Sequence, residues 1–451
     1  MKEKTLLLED SIHKLVEAKK YASLRDLLMT LNPADIADAF AGISDQTLPL
    51  VFRLLPKAQA AETFVEMDPE QQATLIRGFS DSELKAVVDE LYVDDAVDLV
   101  EEMPANVVSR ILTQADPQTR KMINEILQYP EDSAGSVMTT EFVELRGKMT
   151  AQEAIAHIRA VGLDKETINT CYITDPGHHL QGVVSIRSLI LANETQTCES
   201  IMNPHVVSVN TQEDQETVAQ MFSKYNFYAL PVVDGDGRMV GIVTVDDAMD
   251  ILEAETTEDM EKMAAISPSD RPYLSTSPIT IWRHRSPWLL LLMVSATFTG
   301  LVITKFEDAL ATCTVLMAYI PMLMDTGGNA GSQSSVTVIR GLSLGEIQFR
   351  DAFRVMGKEL IVSLLCGLTL AVCNLAKLML FDRVSFPVAM VVCLTLLCTV
   401  IASKLVGSAL PMLAKKVGFD PTVMASPLIT TVVDVLSLLI YFQTASVILG
   451  L

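Results

Sequence analysis

The sequence predicts a multidomain chain: a cytosolic all-α helical superhelix, a repeated α/β pair, a long connecting helix and an α-helical membrane domain of five spans. Three observations lead there. Charge is divided unevenly over the 451 residues: residues 1–283 carry 47 Asp+Glu against 23 Lys+Arg, whereas residues 284–451 carry 9 against 11. Apolar runs approaching or exceeding the ~20 residues that cross a bilayer collect in the second part. Residues 137–252 repeat one strand–helix–strand–strand pattern. An acidic soluble half therefore precedes an apolar one, which excludes a wholly soluble chain and a disordered one. The net charge of −22 repels phosphate, so nucleic acid is excluded as a partner and cations are favoured. Seven cysteines form no C-x-x-C pair, and Cys313, Cys366, Cys373, Cys393 and Cys398 lie in apolar runs. That argues against a zinc or disulfide framework and suits a cytosolic amino-terminal half. The opening MKEKTLLLEDSIHK lacks the apolar core of a signal peptide.

Residues 1–130 read as short helices. Their starts are written as a cap followed by proline or acid, at Asn32-Pro33, Ser44-Asp45, Asp68-Pro69 and Ser80-Asp81. Between caps, apolar residues recur at helical spacing, as at Leu84, Val87, Val88 and Leu91.

The α/β pair occupies 131–252, divided at 131–200 and 201–252. Val137-Met138-Thr139 and Ile201-Met202-Asn203 open matching units. Alternating strands 142–145 and 206–209 follow, then helices 151–159 and 213–222, then strand–turn–strand segments 171–186 and 229–245. Asp234-Gly235-Asp236-Gly237 reads as a turn, since a calcium loop needs a downstream Glu that is missing. The pair resembles tandem CBS domains, which often bind adenine nucleotides. In that family the signature is an apolar strand, Ser/Thr, two residues and Asp. The second copy has Thr244-Val245-Asp246-Asp247; the first has Ser185-Ile186-Arg187-Ser188, with Ser in the ribose-binding position. The resemblance implies ATP at one half-site, with Thr244, Asp247, Arg187 and Phe227 as candidate contacts.

Residues 246–282 read as an acidic connecting helix and a proline-bearing linker, and 283–451 as the membrane domain. Spans are expected at 287–304, 309–324, 355–380, 386–413 and 422–449. Loops on the amino-terminal side hold eight Lys/Arg against three opposite, which puts the amino terminus in the cytoplasm. Asp434 sits deep in the last span, where a carboxylate is tolerated as a pore-facing ion site or in a salt bridge to Lys404. Glu307, at the first turn, is a pore acid or a solvated loop acid. Asp420 stages ions at the cytosolic mouth or caps the helix at Pro421. Pro321 and the glycines of PMLMDTGGNAGSQSS are expected to break a membrane helix and expose carbonyls to a permeation path. Asp325-Thr326-Gly327 matches the aspartic-protease triplet, but no second triplet exists.

The run PMLMDTGGNAGSQSS…IRGLSLGEI, the late SPLITTVVD, the acidic helical domain and the CBS pair together resemble the MgtE family of magnesium transporters, over essentially the whole chain. Ser332, Ser426 and Asn226 depart from some members' pattern. The resemblance implies a homodimer in a bacterial inner membrane, passing hydrated Mg²⁺ down its gradient. It implies a pore ion site at Asp434 and Asp420, and a pore lining of Asp325, Gly327, Gly328, Asn329, Gly331, Gln333 and Glu307. It also implies metal contacts at Glu62, Asp94, Asp98, Asp214, Glu216, Asp247, Asp250, Glu255, Glu258, Asp259, Asp420 and Asp434. The helix 246–266 looks like the family's plug helix, closing the pore when cytosolic Mg²⁺ is high. The rival expectation is a membrane-anchored ion or nucleotide sensor without transport. No Ser/His/Asp set, Walker loop or DKTG motif points to an enzyme.

Overall fold

The computed structural model describes residues 2–269, 273–274, 276–306, 313–424 and 426–450. These fall into two compact units, Met1–Leu252 and Glu253–Leu451. The first begins with short helices: α1 (Lys2–Glu17), α2 (Tyr21–Leu28), α3 (Pro33–Phe40), α4 (Leu48–Phe52), α5 (Lys57–Val65), α6 (Pro69–Gly78), α7 (Asp81–Val88), α8 (Val93–Glu102), α9 (Ala105–Gln114) and α10 (Pro117–Ile126). Three of the four expected starts stand. Asn32 and Asp68 precede a proline in the first turn, and Ser80 forms a full capping box with Glu83. The fourth is displaced. The Ser44 carbonyl accepts from Thr47 and Leu48, making a turn, so the helix begins only at Leu48.

Each α/β copy is a three-stranded sheet. In the first, β1 (Val143–Arg146) pairs parallel with β2 (Thr170–Thr174), which pairs antiparallel with β3 (Leu180–Ser185); helices α11 (Ala151–Val161), α12 (Ile186–Leu191) and α13 (Cys198–Ile201) complete it. In the second, β4 (Val209–Asn210), β5 (Ala229–Val233) and β6 (Met239–Thr244) repeat that order around α14 (Gln215–Tyr225). The copies exchange their leading segments: Thr139 bridges Ile242 of β6, and Asn203 bridges Val183 of β3. Both crossings need glycine. A methyl group on Gly182 would lie 2.5 Å from Met202 Sδ, and one on Gly241 would lie 2.6 Å from Met138 Sδ. The core of the helical domain continues into the second copy through Val218, Phe222, Leu230 and Val243, while the first copy has its own core around Val143, Ile158 and Ile173. The turn at 234–237 is a turn: Asp234 Oδ1 accepts from the backbone of Asp236 and Arg238, and Gly237 takes a positive φ.

Helix α15 (Val245–Met263) begins in the first unit and ends in the second. The second unit continues with α16 (Pro278–Lys305), α17 (Ile320–Ser343), α18 (Ala352–Lys377), α19 (Phe386–Val417) and α20 (Ser426–Leu449). Among the described residues four segments are long and apolar enough to cross a membrane: Pro278–Lys305, Phe349–Asp382, Phe386–Val417 and Pro421–Leu449. The expected second span at 309–324 is not formed as such. Its described part is a 3₁₀ turn, Thr314–Tyr319, followed by the first turn of α17, and most of that helix lies beyond residue 324.

The expected helix break in the glycine-rich segment is also corrected. Helix α17 runs unbroken through Ser343. Pro321 falls in the first turn, where its missing N–H costs nothing. The glycines serve close packing instead. A methyl group on Gly407 of α19 would lie 2.2 Å from the Gly331 carbonyl oxygen, and one on Gly331 would lie 2.8 Å from Ile429 of α20. Small residues thus bring three helix backbones together where lipid gives no hydrophobic drive for association.

Candidate ion sites

In the first unit, the two copies of the α/β pair and helix α8 bring carboxylates together. Asp95, Asp98 and Glu102 of α8 and Asp247 and Asp250 of α15 line a cavity of about 370 Å³, with Glu66 and Asp68 on a further wall. Asp94, on the same helix, is buried and accepts from the N–H of Asp95 at 3.0 Å. Helical spacing puts Asp94, Asp95 and Asp98 on adjoining parts of one surface. Thr244 donates its hydroxyl to Asp247 and its N–H at 3.3 Å, fixing that carboxylate at the start of α15.

These acids are held at an energetic cost. Burial, and then the charge of Asp247, pushes Asp94 well above the usual carboxylate range. The same two causes raise Asp95 and Asp98 each to about 7, and Glu166 to about 8. Burial also raises Asp247, against the pull of the Thr244 hydrogen bond. Among the described residues no three His, Cys, Asp or Glu side chains stand close enough to form a ready-made metal shell. The arrangement is a roomy acidic cavity rather than a tight cage, and that suits an ion that keeps its waters.

The sequence reading placed some of these residues and missed others. Asp98, Asp247 and Asp250 come together on the cavity wall, and Asp94 is buried on the same helix, where it feels the charge of Asp247. Glu62 is exposed on α5 and is not part of the cavity wall. Asp214 caps α14 by accepting from Glu216 N at 2.9 Å, and Glu216 accepts from Gln220 at 3.0 Å; neither lines the cavity. Asp95, Glu141 and Glu166 were not foreseen. Glu141 accepts from Val93 N at 3.2 Å at the start of α8, and Glu166 has a buried, unpartnered Oε2. The Asp94-Asp95 doublet was a legible signal, whereas Glu166 sits in a loop with no periodicity to mark it.

The expected nucleotide contacts are not brought together. A cleft of about 330 Å³ is lined by Tyr172, Ser185, Ser188, Asn203, His205, Phe227 and Tyr228, among others, and Phe227 stacks on Tyr225 at 5.3 Å. Asp247 instead faces the acidic cavity, and Arg187 is exposed outside the cleft wall. The open cleft is the one that carries Ser188.

In the second unit, α17 divides its residues by face. Gly327, Gly328 and Gly331 are buried against α19 and α20, so they pack the helices rather than line a water path. Asp325, Asn329 and Gln333 form an exposed stripe at four-residue spacing. Asp434, on α20, has a buried Oδ1 without a hydrogen-bond partner and feels the charge of Asp325. The hydroxyls of Thr431 and Ser437 are turned to carbonyls of their own helix. The alternative partner for Asp434 is engaged elsewhere. Buried Lys404 donates to Ser334 at 3.4 Å, and Ser334 donates to Glu359 at 2.6 Å, which links α17, α18 and α19.

Asp420 makes the cap that Pro421 suggested, accepting from Thr422 N at 2.8 Å and Oγ1 at 2.6 Å. Its other oxygen meets Lys262 of α15 at 2.8 Å. Glu258 pairs with the same lysine, and Asp259, half-buried, feels the charge of Asp420. Glu255 lies one turn earlier on α15. Glu307 lies outside the described residues.

Family models match three parts of the chain: the MgtE divalent cation transporter over 320–444, the MgtE intracellular N domain over 31–132, and the CBS domain over 198–254. The chain is 38% identical to the magnesium transporter MgtE of Thermus thermophilus, over 97% of this chain and 98% of that one. It is 31% identical to the protein of that name in Bacillus subtilis, over 96% and 95%. A crystal structure of the cytosolic domain of the Mg²⁺ channel MgtE in complex with ATP superposes with a TM-score of 0.52 and 37% identity, covering 54% of this chain and 99% of that one.

Proposed function

From its membership of the MgtE family of magnesium transporters, we propose that this chain is a homodimeric, channel-like Mg²⁺ transporter closed by cytosolic Mg²⁺. Helices α16 to α20 act as five spans of a bacterial inner membrane, with α17 the least apolar because it carries the polar stripe. The amino terminus is cytoplasmic, because Arg340, Arg350, Arg354, Lys358, Lys415 and Lys416 then all lie at cytosolic ends.

The observation that carries the permeation reading is the unpartnered, buried Asp434 oxygen among apolar helices. A carboxylate at that depth is costly unless it serves an ion or water path. Mg²⁺ holds its hydration shell tightly, so a fast path binds it through water, with few direct ligands. Asp434 from two subunits supplies the double charge. Asn329 and Gln333 offer amide oxygens to the outer waters, and Asp325 adds charge near them.

The acidic cavity supports the regulatory reading. Without divalent ions, α8 and α15 hold like charges together at low dielectric. Ions entering the cavity relieve that repulsion and favour the compact arrangement, so bound Mg²⁺ biases a two-state equilibrium. Helix α15 carries the bias onward, since it begins at Asp246-Asp247 and ends beside Asp420. The cleft at Ser185 and Phe227 serves as a regulatory pocket for ATP, with a weakened hold on the ribose through Ser188.

The test is Mg²⁺ uptake into proteoliposomes by wild type, Asp434→Asn and Asp434→Ala. Uptake falls in both variants if Asp434 is the ion site. Equal uptake in all three removes the assignment.

A further inference from the structure

The end of helix α15 is fastened on two sides. On one, Glu261 accepts from Ser269 N at 2.9 Å, and Ser267 exchanges bonds with His284 of α16 at 3.0 and 3.1 Å. On the other, the Lys262 ammonium bridges Glu258 and Asp420, at 2.8 Å to each. Lys262 is the less exposed partner in both pairs, at 24% against 37% and 35%. Thr422 holds Asp420 Oδ1 through two bonds, so Oδ2 is left aimed at the lysine. Charge-assisted bonds of this length, partly shielded from water, are the stronger kind.

The charges do not balance. Glu258, Asp259 and Asp420 bring three negative charges to one ammonium. A protein cation holds two of the acids in place, and the uncompensated charge matches one divalent ion. Burial opposes ionisation of Asp420, yet Lys262 and Thr422 hold it below the ordinary carboxylate range. Burial opposes the charge on Lys262 as well, and its two acid partners overcome this and raise it.

We propose that Lys262 is a positioning residue that sets the Mg²⁺ threshold of closure: its ammonium docks the end of α15 onto the mouth of α20 and leaves the charge of one divalent ion unfilled beside it. This rests on the gating proposed above. Without the ammonium, the three acids repel and the docked arrangement needs more Mg²⁺ to form. An ammonium that merely blocked the ion's place has the opposite consequence, because its removal lets Mg²⁺ bind more easily. The sign of the shift therefore separates the two.

The experiment uses the full chain in proteoliposomes, cytosolic face outward, with Mg²⁺ flux measured at increasing Mg²⁺ on that face. Lys262→Met raises the half-closing concentration roughly three- to tenfold, and Lys262→Arg stays near wild type. Amide hydrogen exchange over 258–269 in EDTA quickens in Lys262→Met and is restored in Lys262→Arg. A half-closing concentration that is unchanged or lowered in Lys262→Met, with wild type still closing, overturns the proposal. If wild-type flux ignores Mg²⁺, the gating reading fails, and unchanged exchange in Lys262→Met then disposes of the docking role as well.

Discussion

Replacing Asp98 by Asn should stabilise the Mg²⁺-free protein. The substitution keeps the shape of the side chain, and among the described residues the leading influences on Asp98 are desolvation and neighbouring charges rather than a hydrogen bond. What it removes is a charge that partial desolvation by the cavity walls, and then Asp247, disfavour. The carboxyl is raised from 3.8 to about 7, but Asp98 keeps much of its surface exposed at the cavity wall, so solvent screens its charge. About 1 kcal/mol is therefore the expected gain from one substitution. For a unit of this size that is about 2–4 °C in melting temperature. The assay is thermal unfolding of the detergent-solubilised chain in EDTA and in Mg²⁺. In EDTA the variant should melt higher than wild type. In saturating Mg²⁺ the difference should shrink or reverse, because the variant has lost a ligand. A variant that melts lower in EDTA, or keeps the full wild-type gain from Mg²⁺, refutes the repulsion argument.

Other outcomes follow from the same geometry. Asp95, Asp98 and Glu166 have folded-state pKa values above their unfolded ones, so the Mg²⁺-free unit binds extra protons. Its stability then falls as pH rises from about 4 towards about 8, and Mg²⁺ binding near pH 7 releases protons. Calorimetric titration in two buffers of different ionisation enthalpy reads that release; identical heats would contradict it. Gly407→Ala pushes a methyl group into the Gly331 carbonyl, costing about 2 kcal/mol or more, and folded protein recovered from membranes should drop. Ser334→Ala leaves Lys404 without its bridge to Glu359, so the membrane unit should denature earlier while the acidic cavity keeps its response to Mg²⁺. Ser188→Asp, in the open cleft, should tighten ATP binding in a direct titration.

The domain order was legible because each part writes its structure in local terms. The capping box at Ser80, the repeat beginning at Val137 and Ile201, and the glycine-bearing turn at Asp234 need only neighbouring residues. Asp434 was legible too, because an acid in an apolar helix stands out. The glycine-rich segment misled because Gly and Pro have two uses. In isolation they break a helix, and between packed helices they allow contact, as Gly331 does with Gly407. The acidic set was legible only where helical spacing repeats it, as at Asp94 and Asp98. Glu166 and Glu141 reach the same region from loops, which is a tertiary fact. Lys262 was hidden by its surroundings: on an acidic helix a lone lysine reads as an ordinary i,i+4 partner for Glu258, and its second partner lies 158 positions along the chain.

If the acidic cavity is the Mg²⁺ sensor, the negative charge gathered there makes flux answer to Mg²⁺. The most direct measurement is initial Mg²⁺ flux in proteoliposomes as Mg²⁺ on the cytosolic face is raised, comparing wild type with the Asp98→Asn/Asp247→Asn double variant. Wild-type flux should fall steeply through the millimolar range while the double variant stays open. A wild-type rate indifferent to that ion, or a double variant that closes at the same concentration, would contradict the account.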